Sequence, residues 1–226
     1  TKIEHAAWLA RVMHRIGEDK PLYCSQVGQK NLSLHFPQKW NYRAVQNGAE
    51  LKLGRRTLAF LETRMLHWPD SMFTYVKEDK ILFSSDAFGQ HYAGPERFDD
   101  EIGDAIMPHA RKYFANILLL YSPLILKLVD KVKEMGLALD MICPDHGVLW
   151  RKDPLKIVNA YVEWSLQKPK RKALVIYDTM WHSTEKMAEA IVETLQREGV
   201  EAKPMHLRSR HRSDILDKDQ GRIGDP

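Results

Sequence analysis

Three side chains that can bind a metal ion stand where predicted strands run into loops. His67 comes after the β-rich run Arg56–Glu62, Asp86 directly follows Ile81–Ser85, and His146 follows a short apolar run. Imidazoles and a carboxylate that converge from separate loops form a suitable site for iron, zinc or manganese, and an aspartate can bridge two ions through its two oxygens. A lone His or Asp at a strand end is more often a turn cap or a satisfied core group, so the residue types alone leave both interpretations open.

A second candidate site follows the apolar run at residues 173–177, where residues 179–184 lead into a helix predicted to begin near Ser183. Hydroxyls and backbone N–H groups at the start of a helix can hold a phosphate. The alternative is that Ser183 only caps the helix, as a serine in this position commonly does.

Periodicity predicts the elements that carry the first site. Residues 5–16 have apolar side chains at helical spacing, and residues 104–136 form a second helical region interrupted at Ser122-Pro123. A further helix is predicted to begin at Asp153, with Pro154 in its first turn. Short strands are predicted at Pro21–Cys24, Glu50–Leu53, Arg56–Glu62, Met72–Val76, Ile81–Ser85 and residues 139–143, and those between residues 50 and 85 form an antiparallel meander.

A charged, proline-broken segment separates this region from one of different character. We predict a first domain at residues 1–168, a linker at 169–172 and a second domain at 173–226. The second domain begins with a parallel strand at residues 173–177, expected to be buried on both faces, and continues with a helix closed by Gly199. A strand is expected at residues 200–207. No stable packed element is expected beyond it, because large apolar side chains are few there.

Composition narrows the class of protein. With 226 residues, 44% hydrophobic and 28% charged, the chain has the composition of an ordinary globular protein. Its 34 basic and 30 acidic residues give no argument for a nucleic-acid or membrane partner.

Cys24 and Cys143 are far apart and have no CxxC partner. This indicates neither a disulfide framework nor a zinc knuckle and favours a reducing cytoplasm. The longest apolar stretch, residues 115–126, is shorter than the roughly 20 residues of a bilayer span, so a buried helix is predicted.

Three runs together resemble the di-iron domain of flavodiiron proteins. They lie at residues 67–72 (HWPDSM), 86–91 (DAFGQH) and 144–151 (PDHGVLWR), in the family's order, and the resemblance extends from about residue 3 to about residue 214. It implies that His67, His146 and the bridging carboxylate of Asp86 are iron ligands.

The amino-terminal match is poorer. The family's motif H-x-E-x-D-H-A-G aligns with His5-Ala6, which puts Glu4 at the Asp position and Lys2 at the Glu position. The resemblance implies that His5 and Glu4 are also metal ligands, whereas a charged Lys2 cannot coordinate. We therefore expect at most one iron per chain instead of the family's two. The alternative for His5 is a solvent-facing residue in the first turn of a helix.

Residues 177–188 resemble the loop that holds the FMN phosphate in the flavodoxin module of the same family. The contacts that the resemblance implies are Thr179, Met180, Trp181, His182, Ser183 and Thr184. The family's later loops around the flavin ring have no counterpart in the sequence, so we expect a chain truncated at both ends that binds FMN weakly.

The predicted fold class is α/β: a partial αββα metallo-β-lactamase-like sandwich, followed by the βαβ start of a flavodoxin-like doubly wound sheet. By resemblance, an electron donor such as rubredoxin or a flavin reductase supplies FMN, which passes electrons to a non-haem di-iron centre that reduces oxygen or nitric oxide. A head-to-tail homodimer is implied, with no nucleic acid and no membrane. The alternatives are a zinc hydrolase of the metallo-β-lactamase superfamily and an inactive remnant.

Overall fold

The computed structural model describes residues 3–218 and the side chains of residues 5–217. The first part of the chain contains, in order, α1 (Ile3–Ala6), α2 (Leu9–Ile16), β1 (Pro21–Cys24), α3 (Gln26–His35), β2 (Asn41–Ala44), β3 (Glu50–Leu53), β4 (Arg56–Glu62), β5 (Met72–Val76) and β6 (Ile81–Ser85). After these come α4 (Asp99–Ile102), α5 (Ile106–Tyr113), α6 (Ser122–Glu134), β7 (Met141–Pro144), α7 (Pro154–Ser165), β8 (Lys172–Tyr177), α8 (Ser183–Arg197), β9 (Glu201–His206) and α9 (Ser213–Lys218).

The central sheet has the strand order β3-β4-β5-β6-β7, and it brings the ends of β6 and β7 to the same edge. Strands β3 to β6 form the predicted antiparallel meander, while β7 pairs with β6 in parallel. Alternating side chains of the strands, such as Phe73 and Tyr75, are buried, as expected for a sheet with one packed face. Since parallel neighbours end at one edge, the loops after Ser85 and Pro144 meet there.

Helices α5, α6 and α7 supply the other half of the core. Ile106, Phe114, Ile125, Ile157 and Tyr161 are buried in one apolar cluster with the sheet residues. Within residues 3–218, one helical stretch, Asp99–Glu134, is long and apolar enough to cross a membrane, a test that core helices of soluble proteins also pass.

The amino-terminal region differs from prediction in two ways. The helix expected at residues 5–16 is divided into α1 and α2, and α3 and β2 were not predicted. β1, α3 and β2 form a parallel unit in which Ser25 caps α3 by accepting a hydrogen bond from the Gly28 N–H at 3.1 Å. The sequence of α3 has a weak apolar periodicity and no acidic residue in its first turn, so Ser25 is its main helix signal.

In the carboxyl-terminal region, β8 and β9 are parallel and joined by α8, as predicted. The prediction that β8 is buried on both faces is wrong: its side chains are partly exposed, and Ile176 is 43% exposed. Helix α8 packs against β8, whereas burial on both faces requires helices on both sides of the sheet.

The prediction that no packed element follows β9 is also wrong. Helix α9 lies against α5, where Lys112 Nζ is 2.6 Å from Asp214 Oδ1 and Arg111 Nε is 2.8 Å from Asp217 Oδ1. The Asn116 side chain donates a hydrogen bond to the Ser213 carbonyl at 2.9 Å. These contacts are polar, whereas the prediction considered only the apolar side chains of this segment.

Candidate functional site

Asp86 is the residue around which the predicted metal ligands gather. It begins the loop after β6 and is buried, with 2% of its surface exposed. Its Oδ1 lies 3.5 Å from His5 Nε2 and 3.2 Å from His146 Nε2, whereas its Oδ2 lies 3.4 Å from His67 Nε2. The two oxygens of one carboxylate thus face two different groups of imidazoles, an arrangement that suits a bridging ligand.

His5 and His146 face each other beside the same oxygen. Their Nε2 atoms are 3.1 Å apart, and the ligand atoms of His5, Asp86 and His146 all lie within 4.8 Å of one another. Metal bonds to nitrogen and oxygen ligands are about 2.0 to 2.2 Å long, so an ion fits among these three atoms with small side-chain movements. Imidazole and carboxylate are ligands that iron, zinc and manganese accept. The residues therefore fit a metal ion, although their role as ligands stays a prediction.

Glu4 and Lys2 have a different status. The side chain of Glu4 and the whole of Lys2 lie outside the part of the chain that the structure describes. Backbone residues 3–6 form the short helix α1, which brings His5 to the site. His5 is thus directed toward Asp86 and His146, unlike the alternative in which it faces solvent.

Gln90 joins the loop that carries Asp86 to the loop that carries His146. Its side chain is fully buried, accepts a hydrogen bond from the Val148 N–H at 2.7 Å and donates one to the Phe88 carbonyl at 2.7 Å. Its backbone N–H donates to the His146 carbonyl at 3.1 Å. Sequence reasoning included Gln90 in a family-like run but assigned it no role, because a buried amide that bridges two loops is recognised only from their tertiary arrangement.

Gly147 allows the Gln90 side chain to pack directly against the loop that carries His146. It has a φ of +80°, which L side chains rarely adopt, and a Cβ at this position would lie 2.1 Å from Oε1 of Gln90. The glycine that follows His146 is therefore required both by its backbone conformation and by the packing of Gln90.

The backbone of Phe88 makes two further buried hydrogen bonds. Its carbonyl accepts a hydrogen bond from Trp150 Nε1 at 2.9 Å, and its N–H donates to the Tyr161 hydroxyl at 2.8 Å. Burial raises the pKa of Tyr161, the bond from Phe88 opposes this, and the nearby Asp86 carboxylate raises it further. The loop after Asp86 is thus fixed by buried hydrogen bonds.

Tyr113 is a neighbour of the site that sequence reasoning missed. Its hydroxyl lies 3.5 Å from Asp86 Oδ1, and its ring meets the His91 ring edge-on with centroids 4.8 Å apart. Burial raises the pKa of Tyr113 and the charge of Asp86 raises it further, so the phenol is neutral at physiological pH. In the sequence this tyrosine had the spacing of a core aromatic on α5, and nothing distinguished it from one.

The predicted phosphate loop joins β8 to α8. His182 precedes the helix with a φ of +62° and makes no side-chain cap, while its Nδ1 lies 2.5 Å from Glu185 Oε2. The alternative in which Ser183 caps the helix is therefore not found, since Ser183 is the first helical residue. Ser183 and Thr184 are exposed at the start of the helix, and Met180 and Trp181 are 73% and 82% exposed. The predicted contact residues 179–184 thus lie together, and their role in binding stays a prediction.

Two family models match the chain. Residues 6–147 match the ODP family beta lactamase, and residues 175–225 match Flavodoxin. A nitric oxide reductase from Moorella thermoacetica is 44% identical over 218 residues, which is 96% of this chain and 54% of that protein. A coenzyme F420H2 oxidase from Methanothermobacter marburgensis is 47% identical over 209 residues, 90% of this chain and 52% of that protein.

A solved structure of similar fold is the rubredoxin oxygen:oxidoreductase from Desulfovibrio gigas. It has a TM-score of 0.92 and 40% identity, and the match covers 99% of this chain and 56% of that one. The flavodiiron protein from Giardia intestinalis has a TM-score of 0.80 and 35% identity, over 87% of this chain and 49% of that one. The chain spans about half the length of these relatives. It belongs to the flavodiiron protein family, with an ODP-type beta-lactamase region followed by a flavodoxin region.

Proposed function

We propose that this protein is an oxidoreductase that passes electrons from FMN to a non-haem iron centre, where oxygen or nitric oxide is reduced. The observation that carries the proposal is the position of Asp86, whose two oxygens face His5 and His146 on one side and His67 on the other. Two of the relatives reported above, a nitric oxide reductase and a rubredoxin oxygen:oxidoreductase, have names that agree with it.

The proposed metal ligands are His5, Asp86 and His146. His67, which faces the second oxygen of the Asp86 carboxylate, and Glu4 are proposed as further ligands. Iron held there would bind the gas and accept electrons one at a time. Tyr113 adds a neutral hydroxyl directed toward Asp86. Such a phenol can hold a proton beside the site without adding a negative charge to it.

The proposed flavin contacts are Thr179, Met180, Trp181, His182, Ser183 and Thr184. Backbone N–H groups at the start of α8 and the hydroxyls of Ser183 and Thr184 would hold the phosphate, because the amino terminus of a helix attracts anions. The exposed apolar surface of Trp181 is available to a flavin ring.

We infer the assembly from the family. A rubredoxin or a flavin reductase is the proposed electron donor, a head-to-tail homodimer is the proposed assembly and the cytoplasm is the proposed location. The proposed domain division is 1–168 and 173–226, with 169–172 as linker. In support, α7 ends at Ser165 and β8 begins at Lys172, so the change from one region to the next falls between these two residues.

The proposal is tested by loading the purified chain with Fe(II) and FMN without air and supplying reduced rubredoxin. We expect consumption of oxygen or nitric oxide that is lost in Asp86→Asn and kept in Asp140→Asn, an exposed carboxylate that pairs with Lys80. A zinc-loaded chain that hydrolyses a lactam or thioester and an iron-loaded chain that consumes neither gas would overturn the proposal in favour of the hydrolase alternative.

A further inference from the structure

Asp145 contacts the nitrogen of His5 that faces away from the other proposed ligands. Its Oδ2 lies 3.1 Å from His5 Nδ1, while the Nε2 of the same ring lies 3.5 Å from Asp86 Oδ1. We propose that Asp145 is a positioning residue, which accepts a hydrogen bond from Nδ1–H of His5 and so directs the Nε2 lone pair toward the metal position. This inference rests on the proposed function, because it requires His5 to be a ligand.

The contact between Asp145 and Nδ1 determines which nitrogen of His5 is free to bind a metal. A neutral imidazole has one N–H donor and one acceptor nitrogen, so a carboxylate that accepts from Nδ1–H leaves Nε2 as the acceptor. Histidines that bind metals usually donate their other N–H to a carboxylate or carbonyl, which fixes the tautomer and the ring orientation and makes the ligand more basic. Asp145 occupies that position for His5.

The fold places Asp145 where it can act in this way. The Asp145 N–H donates a hydrogen bond to the Ser85 carbonyl at 2.8 Å, and Ser85 directly precedes Asp86. Asp145 is also the neighbour of His146, so a single loop presents a carboxylate to Nδ1 of His5 and an imidazole to its Nε2. The ring of His5 is therefore held between two consecutive residues of the loop after β7.

Positioning is needed because the element that carries His5 is short. Helix α1 has four residues, and a side chain on such a helix is not fixed by the backbone alone. The His5 side chain is 17% exposed and that of Asp145 is 44% exposed, so the Asp145 carboxylate is not part of the packed core. Its removal should change the orientation of His5 without unfolding the chain.

The test measures Co(II) affinity of the full chain by competition with a chelator, using the visible absorption of bound Co(II). We expect Asp145→Ala to weaken binding by about 10- to 100-fold and Asp145→Asn, which keeps an acceptor oxygen, to weaken it less. The matched control is Asp140→Ala. It removes an exposed carboxylate just before β7, the strand that Asp145 follows, and should leave the affinity unchanged.

A double-mutant cycle with His5→Ala separates positioning from direct coordination. If Asp145 acts through His5, then Asp145→Ala has no further effect once His5 is absent; a further loss of affinity would mean that Asp145 binds the metal itself and would overturn the inference. Nitrogen-15 spectra of the metal-free chain give an independent readout, in which His5 should carry its proton on Nδ1 in the wild type and lose that preference in Asp145→Ala.

The outcomes distinguish this inference from the proposed function. If the wild type binds Co(II) and Asp145→Ala binds it equally well, with an unchanged His5 tautomer, the positioning role is wrong and the metal site stands. If the wild type does not bind Co(II), the proposed function fails and the inference fails with it.

Discussion

The Nε2 atoms of His5 and His146 lie 3.1 Å apart, although the two residues are 141 positions apart in the sequence. Asp86 Oδ1 lies within 3.5 Å of both nitrogens. Two imidazole nitrogens and a carboxylate oxygen are ligands that iron, zinc and manganese accept, so this convergence is an arrangement that suits a metal ion.

Replacement of Asp86 by Asn should abolish iron binding. The substitution keeps the volume of the side chain but removes the charge and one of the two acceptor oxygens that face the histidines. We expect iron per chain, measured by elemental analysis after loading and desalting, to fall by at least about tenfold, with Asp140→Asn as the control. Undiminished iron in Asp86→Asn would show that the metal is held elsewhere.

Gly147→Ala should destabilise the loop of His146 more than its backbone conformation explains. The matched control is Gly48→Ala, since Gly48 has a similar φ of +82° but no atom within 4 Å of an added Cβ. We expect a cost of about 1 kcal/mol for Gly48→Ala and about 3 kcal/mol for Gly147→Ala, where the added Cβ also displaces Gln90. Urea unfolding gives both values. Equal costs would mean that Gln90 moves away freely and does not hold the loop.

Alkaline pH should destabilise the protein partly through Tyr161. Burial raises the pKa of Tyr161 in the folded state above the unfolded value of about 10, so the neutral phenol stabilises the fold below that pH. As pH rises above about 10, the unfolded chain loses this proton while the folded chain keeps it, and stability falls by up to about 1.4 kcal/mol per pH unit.

Tyr161→Phe tests this slope. The variant should be less stable than the wild type at pH 7, because the Phe88 N–H loses its acceptor, and the difference should shrink by about 1 kcal/mol between pH 9 and pH 11. The control is Tyr23→Phe at an exposed tyrosine. A difference that stays constant over this range would contradict the raised pKa of Tyr161.

Removal of the positive charges on α5 should loosen α9. The ion pairs of Arg111 with Asp217 and of Lys112 with Asp214 are partly exposed, so each contributes at most about 1 kcal/mol. We expect amide exchange at residues 213–218 to accelerate about fivefold in the double variant Arg111→Ala and Lys112→Ala, and about as much in 1 M salt. Lys127→Ala on α6 is the control, and unchanged exchange in the double variant would show that other contacts hold α9.

Sequence reasoning succeeded where the signal was local. The bounds of β4, β5 and β6 agree with prediction because each strand is a short β-rich run between turn residues. The convergence of His146 and His67 on Asp86 was expected because each follows the end of a strand and lies in a family-like run.

It failed where a residue acts through distant partners. Tyr113 has the spacing of a core aromatic, while Gln90 and Asp145 lie in family-like runs that do not reveal their contacts. The partners of these three residues are between 27 and 140 positions away in the sequence. Helix α9 was missed for a related reason, since its contacts with α5 are ion pairs and sequence reasoning searched for apolar periodicity.

The position of iron in crystals of the loaded chain tests the central claim most directly. An anomalous difference map recorded at the iron absorption edge should contain a peak about 2.0 to 2.2 Å from Nε2 of His146 and from a carboxylate oxygen of Asp86, with His5 Nε2 as a further ligand. A strong peak remote from Asp86, or the absence of a peak in crystals that elemental analysis shows to contain iron, would contradict the account.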